Sequence, residues 1–338
     1  MGYEGKWEKR WHPLREEWVV YAAHRNSRPW QGAPPVDPVP AQSYDPQCYL
    51  CPGNPRSGGI LNPPYRSIFI FDNDHPVVGE SAPEVPPALG FYRNGRADGI
   101  ARVICYNPRH DVPIAGLAPE AVTEIFAAFR DQTAEMASNP AIHSILIFEN
   151  RGEAVGVSNP HPHCQLYATG FPLRNVTQQM EVSSRFRKEN GSDIFSAIIE
   201  AERMDGRRIL FEDEHAIAFI PYFARWAYEV MIFPKAPAQR LTDLAPAELN
   251  SLAIAFRTVI RKYDLSYGGA FPYVMSVMQA PVDGGDHPDF RLHVWLQPPY
   301  RQPGLVKYLA GPELGAGNFM ADTMPEEKAA ELRLINAD

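Results

Sequence analysis

Ser158-Asn159-Pro160-His161-Pro162-His163-Cys164-Gln165 runs directly into Leu166-Tyr167-Ala168-Thr169. Residues 164–169 read as a strand. Alternate residues of an extended chain share a face, so His161 and His163 are expected to point the same way, with Pro162 stiffening the pair. A weaker form of the stretch returns as Leu292-His293-Val294-Trp295-Leu296. Other pairs keep the same order. Leu117-Ala118-Pro119 recurs as Leu244-Ala245-Pro246, and Phe129-Arg130 as Phe256-Arg257, both 127 residues apart. The apolar run 101–108, ARVICYNP, has a counterpart in YEVMIFP at 228–234. Four matches in one order point to two copies of one α+β unit. Two antiparallel half-sheets, each with a long helix, can join into one sheet.

Working outward, strand-like runs cover 17–23, 67–71, 101–106 and 144–150. A helix is expected from Pro119 to about 136, because proline suits the first helical turn and Glu120 suits its positive end. One polar, amphipathic helix is expected over 175–204. Residues 29–47 and 52–65 are proline-rich loops. The 34 prolines in 338 residues are about twice the usual share of about 5%, so the loops are many and stiff.

Composition excludes several classes. Hydrophobic residues make up 45% and charged residues 21%, the balance of a folded globular chain. A net charge of −8 gives no global field for nucleic acid, although local arginines can still hold a phosphorylated small molecule. No apolar run approaches the ~18–20 residues of a membrane span. The opening MGYEGKWEKRWHPL lacks the apolar centre of a signal peptide, and Lys6 breaks a myristoylation pattern. Four cysteines form no disulfide framework. The expectation is a cytoplasmic protein with reduced thiols and neither a nucleic-acid nor a membrane partner.

Cys48-Tyr49-Leu50-Cys51 places two thiolates where a tight turn can bring both to one ion. A redox pair or two inert thiols would share that spacing. A redox pair normally opens a helix after a strand, whereas this one lies between proline-rich loops. Zinc needs two more ligands. His110, ending Asn107-Pro108-Arg109-His110, and His161 supply them, completing a tetrahedral Cys₂His₂ set. Singly, each histidine reads as an ordinary hydrogen-bonded group; the four together read as one structural zinc per chain. Cys105 and Cys164 fall in strand-like runs and read as core.

His163 then reads as the chemical residue. A neutral imidazole attacks phosphorus well, and the phosphoimidazole is a good leaving group in the next step. Upstream, Glu149-Asn150-Arg151-Gly152 and Gly156-Val157-Ser158-Asn159-Pro160 offer backbone N–H groups, a hydroxyl and an amide, which suit a phosphate cradle.

These stretches, with His24-Arg25, Arg28-Pro29-Trp30-Gln31-Gly32, Cys48 to Asn54, Asn73-Asp74, Pro108 to Asp111, Phe271-Pro272-Tyr273 and Lys307, resemble the galactose-1-phosphate uridylyltransferases of the histidine-triad superfamily nearly end to end. The resemblance implies an α+β fold of two histidine-triad-like repeats, 1–175 with the zinc and HPHCQ and 176–338 with a degenerate motif, joined in a largely antiparallel sheet flanked by helices. It implies a ping-pong exchange of UMP between UDP-glucose and galactose-1-phosphate through uridylyl-His163. Gln165 would hydrogen-bond the transferred group. An amide there, in place of the third histidine of related hydrolases, favours transferase over hydrolase, because it cannot act as acid or base. Arg25, Arg28, Leu50, Asn73, Asp74, Asn150, Gly156, Val157 and Ser158 would bind nucleotide and phosphates. Lys307, Tyr308 and Glu313 would bind hexose phosphate, partly across a homodimer interface.

Some positions depart from that family. Where some members hold a second metal, this chain has Gln179, Met278, His293 and Trp295, so none is expected. Pro312 and Phe319 replace an expected tyrosine and glutamine near the hexose. An ADP-sugar phosphorylase or adenylyltransferase using the same histidine, or a zinc-stabilised nucleotide-binding protein without turnover, are the alternatives.

Overall fold

The computed structural model describes residues 6–27 and 42–337. Its strands are β1 (Trp7–His12), β2 (Glu17–Ala22), β3 (Phe69–Asp72), β4 (Gly99–Cys105), β5 (Ser144–Arg151), β6 (His163–Thr169), β7 (Ile209–Glu212), β8 (Ala216–Phe219), β9 (Val230–Pro234), β10 (Tyr273–Met278), β11 (His293–Gln297), β12 (Tyr300–Gln302), β13 (Leu305–Val306) and β14 (Met320–Ala321). Its helices are α1 (Pro119–Ala137), α2 (Arg174–Asn190), α3 (Ile194–Asp205), α4 (Pro246–Tyr267), α5 (Gly311–Gly315) and α6 (Pro325–Arg333).

Nine strands form one sheet in the order β3-β4-β6-β5-β10-β11-β9-β8-β7, every neighbouring pair antiparallel. The halves meet at β5 and β10, where Phe148 lies opposite Ser276. On either side of that seam the order mirrors itself, β6 then β4 against β11 then β9. The two recurring Leu-Ala-Pro triplets do the same local job: Pro119 and Pro246 open α1 and α4, with Glu120 and Glu248 in the first turns.

Both long helices lie on one face of the sheet. Val122, Ile125, Phe126, Phe129 and Met136 of α1 recur at helical spacing and are buried, forming one apolar stripe. Phe126 meets Phe256 of α4 with ring centroids 5.5 Å apart. Thr123 Oγ1 donates to Asn250 Oδ1 at 2.8 Å across the two helices, a pair 127 residues apart like the sequence repeats.

The opposite face is treated differently in each half. Over the second half α2 and α3 cover it: Val176, Val182, Phe195 and Ile198 pack on Phe219, Phe233, Met278 and Trp295. Over the first half the loops around Cys48 and Cys51 cover it, with Leu50, Val103, Cys105, Phe69 and Phe71. The single helix expected over 175–204 is two helices. Gly191 ends α2 in the left-handed region (φ 80°), and the Asp193 side chain caps α3 by accepting from Ser196 N. A smaller sheet joins β1, β2 and the C-terminal β14.

Candidate active site

The CxxC turn closes through Cys51 N donating to Cys48 O at 3.1 Å. Leu50 N donates to Cys48 Sγ at 3.3 Å, as in metal-binding knuckles. Asn54 and Asn62 side chains hold the carbonyls of Cys48, Tyr49 and Cys51. His110 and His161 enter from two other segments. Their ligand atoms and the two sulfurs all lie within 4.8 Å of one another, and all four residues are buried. Cys51 Sγ lies 3.6 Å from His110 Nδ1 and 3.5 Å from His161 Nδ1. Sulfur and nitrogen on adjacent corners of a zinc tetrahedron lie about 3.6 Å apart, so the set fits that ion. Burial lowers His161 to about 4, so its imidazole is neutral and able to ligate. Its far nitrogen, Nε2, donates to Asn107 O at 3.1 Å and faces Tyr65 Oη, an outer shell that orients the ring.

Strand β6 begins at His163, so the shared-face expectation for His161 and His163 reaches only the second. Pro162 lies in the preceding turn, where its carbonyl accepts from Tyr106 N. His161 is turned into the cysteines, and His163 into a cavity. The two remain linked: His163 Nδ1 lies 2.7 Å from His161 O. A carbonyl only accepts, so Nδ1 carries the proton and Nε2 keeps its lone pair. Burial lowers the His163 pKa, which keeps the ring neutral. The result is an oriented imidazole with a free Nε2 lone pair, whose orienting group belongs to a candidate metal ligand.

The cavity, about 440 Å³, is lined by Tyr49, Leu50, Phe71, Asn73, Asp74, Ser158, His163 and Gln165, among others. Register explains the grouping. Phe71, Val103, Gln165 and Phe148 form one cross-strand row, and Phe69, Cys105 and His163 the next. A small polar recess beside it is lined by Phe148, Asn150, Gly156, Val157, Ser158, His163 and Gln165. Gly152 starts that wall with φ 90°, and a Cβ there would meet Pro272 Cβ at 2.8 Å, so only glycine fits. Gly156, at φ 75°, turns the chain back toward Ser158. Arg56 stacks over Phe71 at 3.9 Å and pairs with Asp74 at 3.4 Å. A larger groove of about 690 Å³ between the β1–β2 hairpin and α2–α3 has no histidine or cysteine among the described residues that line it, and its Glu202 and Arg208 are paired with each other.

Leu50, Asn73, Asp74, Asn150, Gly156, Val157, Ser158, His163 and Gln165 therefore come together around the two recesses. The hexose residues do not join them within one chain. Lys307 is buried against Glu313 at 2.9 Å, and Tyr308 is 66% exposed. Arg25 pairs with Asp322 at 3.4 Å beside the small sheet. Arg28 lies outside the described residues. Sequence reading missed Tyr65, Asn107, Arg56 and Tyr167. Tyr167, on the same strand face as His163 and Gln165, was open to the period-two rule.

Models of the galactose-1-phosphate uridyl transferase N-terminal and C-terminal domains match residues 4–172 and 179–338. The chain belongs to the galactose-1-phosphate uridylyltransferase family. A galactose-1-phosphate uridylyltransferase of Haemophilus influenzae is 34% identical over 97% of this chain and 94% of its own. A solved uridylyltransferase structure superposes with a TM-score of 0.78 at 29% identity, covering 97% of both chains. An ADP-glucose phosphorylase from Arabidopsis thaliana, solved with bound ADP-glucose, also reaches 0.78, at 19% identity over 98% of this chain and all of its own. At that identity it shares the fold alone. Among the described residues, no helix is long and apolar enough to cross a membrane.

Proposed function

We propose that the chain exchanges UMP between UDP-glucose and galactose-1-phosphate. The carrying observation is the His163 tautomer: Nδ1–H is tied to His161 O, and Nε2 is presented to the cavity beside Gln165. Nε2 attacks the α-phosphorus of UDP-glucose. The bond from that phosphorus to the bridging oxygen breaks, and glucose-1-phosphate leaves with the electron pair. The uridylylated ring is cationic, and the His161 carbonyl accepting from Nδ1–H stabilises that charge as it develops. A phosphate oxygen of galactose-1-phosphate then attacks the same phosphorus, giving UDP-galactose and neutral His163. Gln165 donates to the transferred phosphoryl group, and the backbone of 156–158 lines the phosphates. Leu50 and Asp74 serve the nucleoside.

Cys48, Cys51, His110 and His161 would hold one zinc, which braces the turn that carries His163 and takes no chemical step. The chain reads as two repeats, 1–175 and 176–338, in a cytoplasmic homodimer. In that arrangement Lys307, Tyr308 and Glu313 serve the hexose phosphate of the partner's site, and Arg25 and Arg28 neutralise phosphate oxygens. Pro312 and Phe319 remove polar partners near the sugar, so several hexose-1-phosphates should be accepted.

Incubation with UDP-glucose should add one UMP to the wild-type protein by intact mass and none to His163→Ala. Initial-rate plots should be parallel. A higher kcat/KM for ADP-glucose than for UDP-glucose would favour the adenylyl reading, and binding with neither adduct nor exchange would favour the non-catalytic one.

A further inference from the structure

We infer that Asn73 is a positioning residue: it fixes which end of the Gln165 amide faces the phosphoryl group transferred to His163. The inference rests on the uridylyl-transfer reading and assigns Asn73 a task other than contact with the nucleoside.

The two ends of a glutamine amide have nearly the same shape and opposite polarity. A phosphoryl oxygen needs the NH₂ end. The carbonyl end would set lone pairs against an anionic oxygen. Something must therefore choose, and a main-chain group makes the choice. The His75 backbone N–H can only donate, and it meets Asn73 Oδ1 at 2.9 Å. Asn73 must then direct its Nδ2 the other way, where it donates to Gln165 Oε1 at 3.3 Å. Tyr167 Oη donates to the same oxygen at 3.3 Å. Phe148 holds the Tyr167 ring edge-to-face at 4.8 Å.

With Oε1 occupied by two donors, the NH₂ end is the one left to the recess lined by Asn150, Ser158 and His163. The relay is anchored by the sheet. Asn73 N donates to Ala101 O at 2.8 Å, extending the β3–β4 ladder by one residue. Asn73 thereby falls two residues beyond Phe71, on the face that carries Gln165. The polarity of the whole chain, from His75 N–H through two amides to the phosphoryl oxygen, cannot reverse without breaking a backbone hydrogen bond.

A double-mutant cycle on the full-length protein tests this, reading kcat and KM for UMP exchange between UDP-glucose and galactose-1-phosphate. Asn73→Ala should lower kcat about tenfold and leave KM for UDP-glucose within about twofold, since the loss is one of orientation in the transition state. In the Gln165→Ala background the same change should alter kcat less than about twofold. Asn73→Asp is nearly isosteric and inverts the relay. One carboxylate oxygen takes the His75 N–H and the other draws the Gln165 NH₂ toward itself, so its kcat should fall about 100-fold. Tyr167→Phe removes one donor without changing the packing, and repeats the cycle with a smaller step of about threefold. Equal factors in both backgrounds, an effect confined to KM, or Asn73→Asp no worse than Asn73→Ala would overturn the inference while leaving uridylyl transfer intact. A wild-type chain that transfers no UMP overturns both.

Discussion

His163 and His293 occupy corresponding places in the two halves. Each opens its strand, β6 or β11, and each strand lies next to the seam strand of its half. Each ring has Nδ1 against the carbonyl two residues earlier, at 2.7 Å for His163 and 2.9 Å for His293. Their surroundings differ. His163 faces a polar recess beneath loops. His293 is fully buried among Phe195, Phe233, Phe290 and Trp295, and its Nε2 has no hydrogen-bond partner among the described residues. Where β6 continues with Gln165, β11 continues with Trp295, which donates to the buried Glu229 at 2.8 Å. One backbone device orients a histidine in both halves; what covers the strand face decides whether that histidine opens onto a cavity.

The largest effect should separate these two residues. His163→Ala should reduce exchange by at least about 10⁴-fold with little change in melting temperature. His293→Ala should leave kcat within about threefold and cost roughly 2 kcal/mol of stability through the cavity it opens. Calorimetry with steady-state kinetics on both variants gives the comparison directly, and a loss of exchange in His293→Ala would break it.

Next is Cys48→Ser. Among the described residues the candidate metal cluster draws on the first half alone, so metal content by atomic emission, melting temperature and exchange should fall together. Chelation of the wild type should reproduce the pattern. Exchange unchanged in metal-free protein would detach the cluster from His163.

Phe126→Ala acts on the joint between the halves, where the ring meets Phe256. A loss of about 3–5 kcal/mol is expected by denaturant titration, with UMP transfer per folded molecule retained.

The smallest effect is on pH dependence at the same joint. Glu149 of β5 accepts from Tyr106 of the first half and Tyr273 of the second. Burial raises its pKa to about 7, against the opposing effect of Arg151. The folded state therefore holds this proton more tightly than the unfolded chain, and stability should fall as pH rises from about 4.5 to 7, by at most about 1.4 kcal/mol per unit. Glu149→Gln should flatten that slope.

Much of this was legible beforehand. The triplets at 117–119 and 244–246 located the starts of both long helices, because proline and an acidic first turn act locally. Cys48, Cys51, His110 and His161 were legible as a candidate set because CxxC puts two thiols on one turn and, of the ten histidines, these two stand at the edges of strand-like runs. The break at Gly191 carried its own signal, a glycine followed two residues later by Asp193. The orientation of His163 was not legible. It depends on a backbone carbonyl, and any residue supplies one. The same holds for Asn107, which acts through its main chain. The cover over each strand face depends on where α2 and α3 pack, and no local pattern encodes that.

The seam also has a consequence in time. Strand β5 ends at Arg151 and its partner β10 starts at Tyr273, so about 120 residues must be synthesised between them, taking roughly 6–24 s at 5–20 residues per second. Until then Ser144-Ile145-Leu146-Ile147-Phe148 presents an open, apolar strand edge, the kind that pairs with other chains. The middle of the finished sheet is thus an open edge of the nascent polypeptide for the whole of that interval.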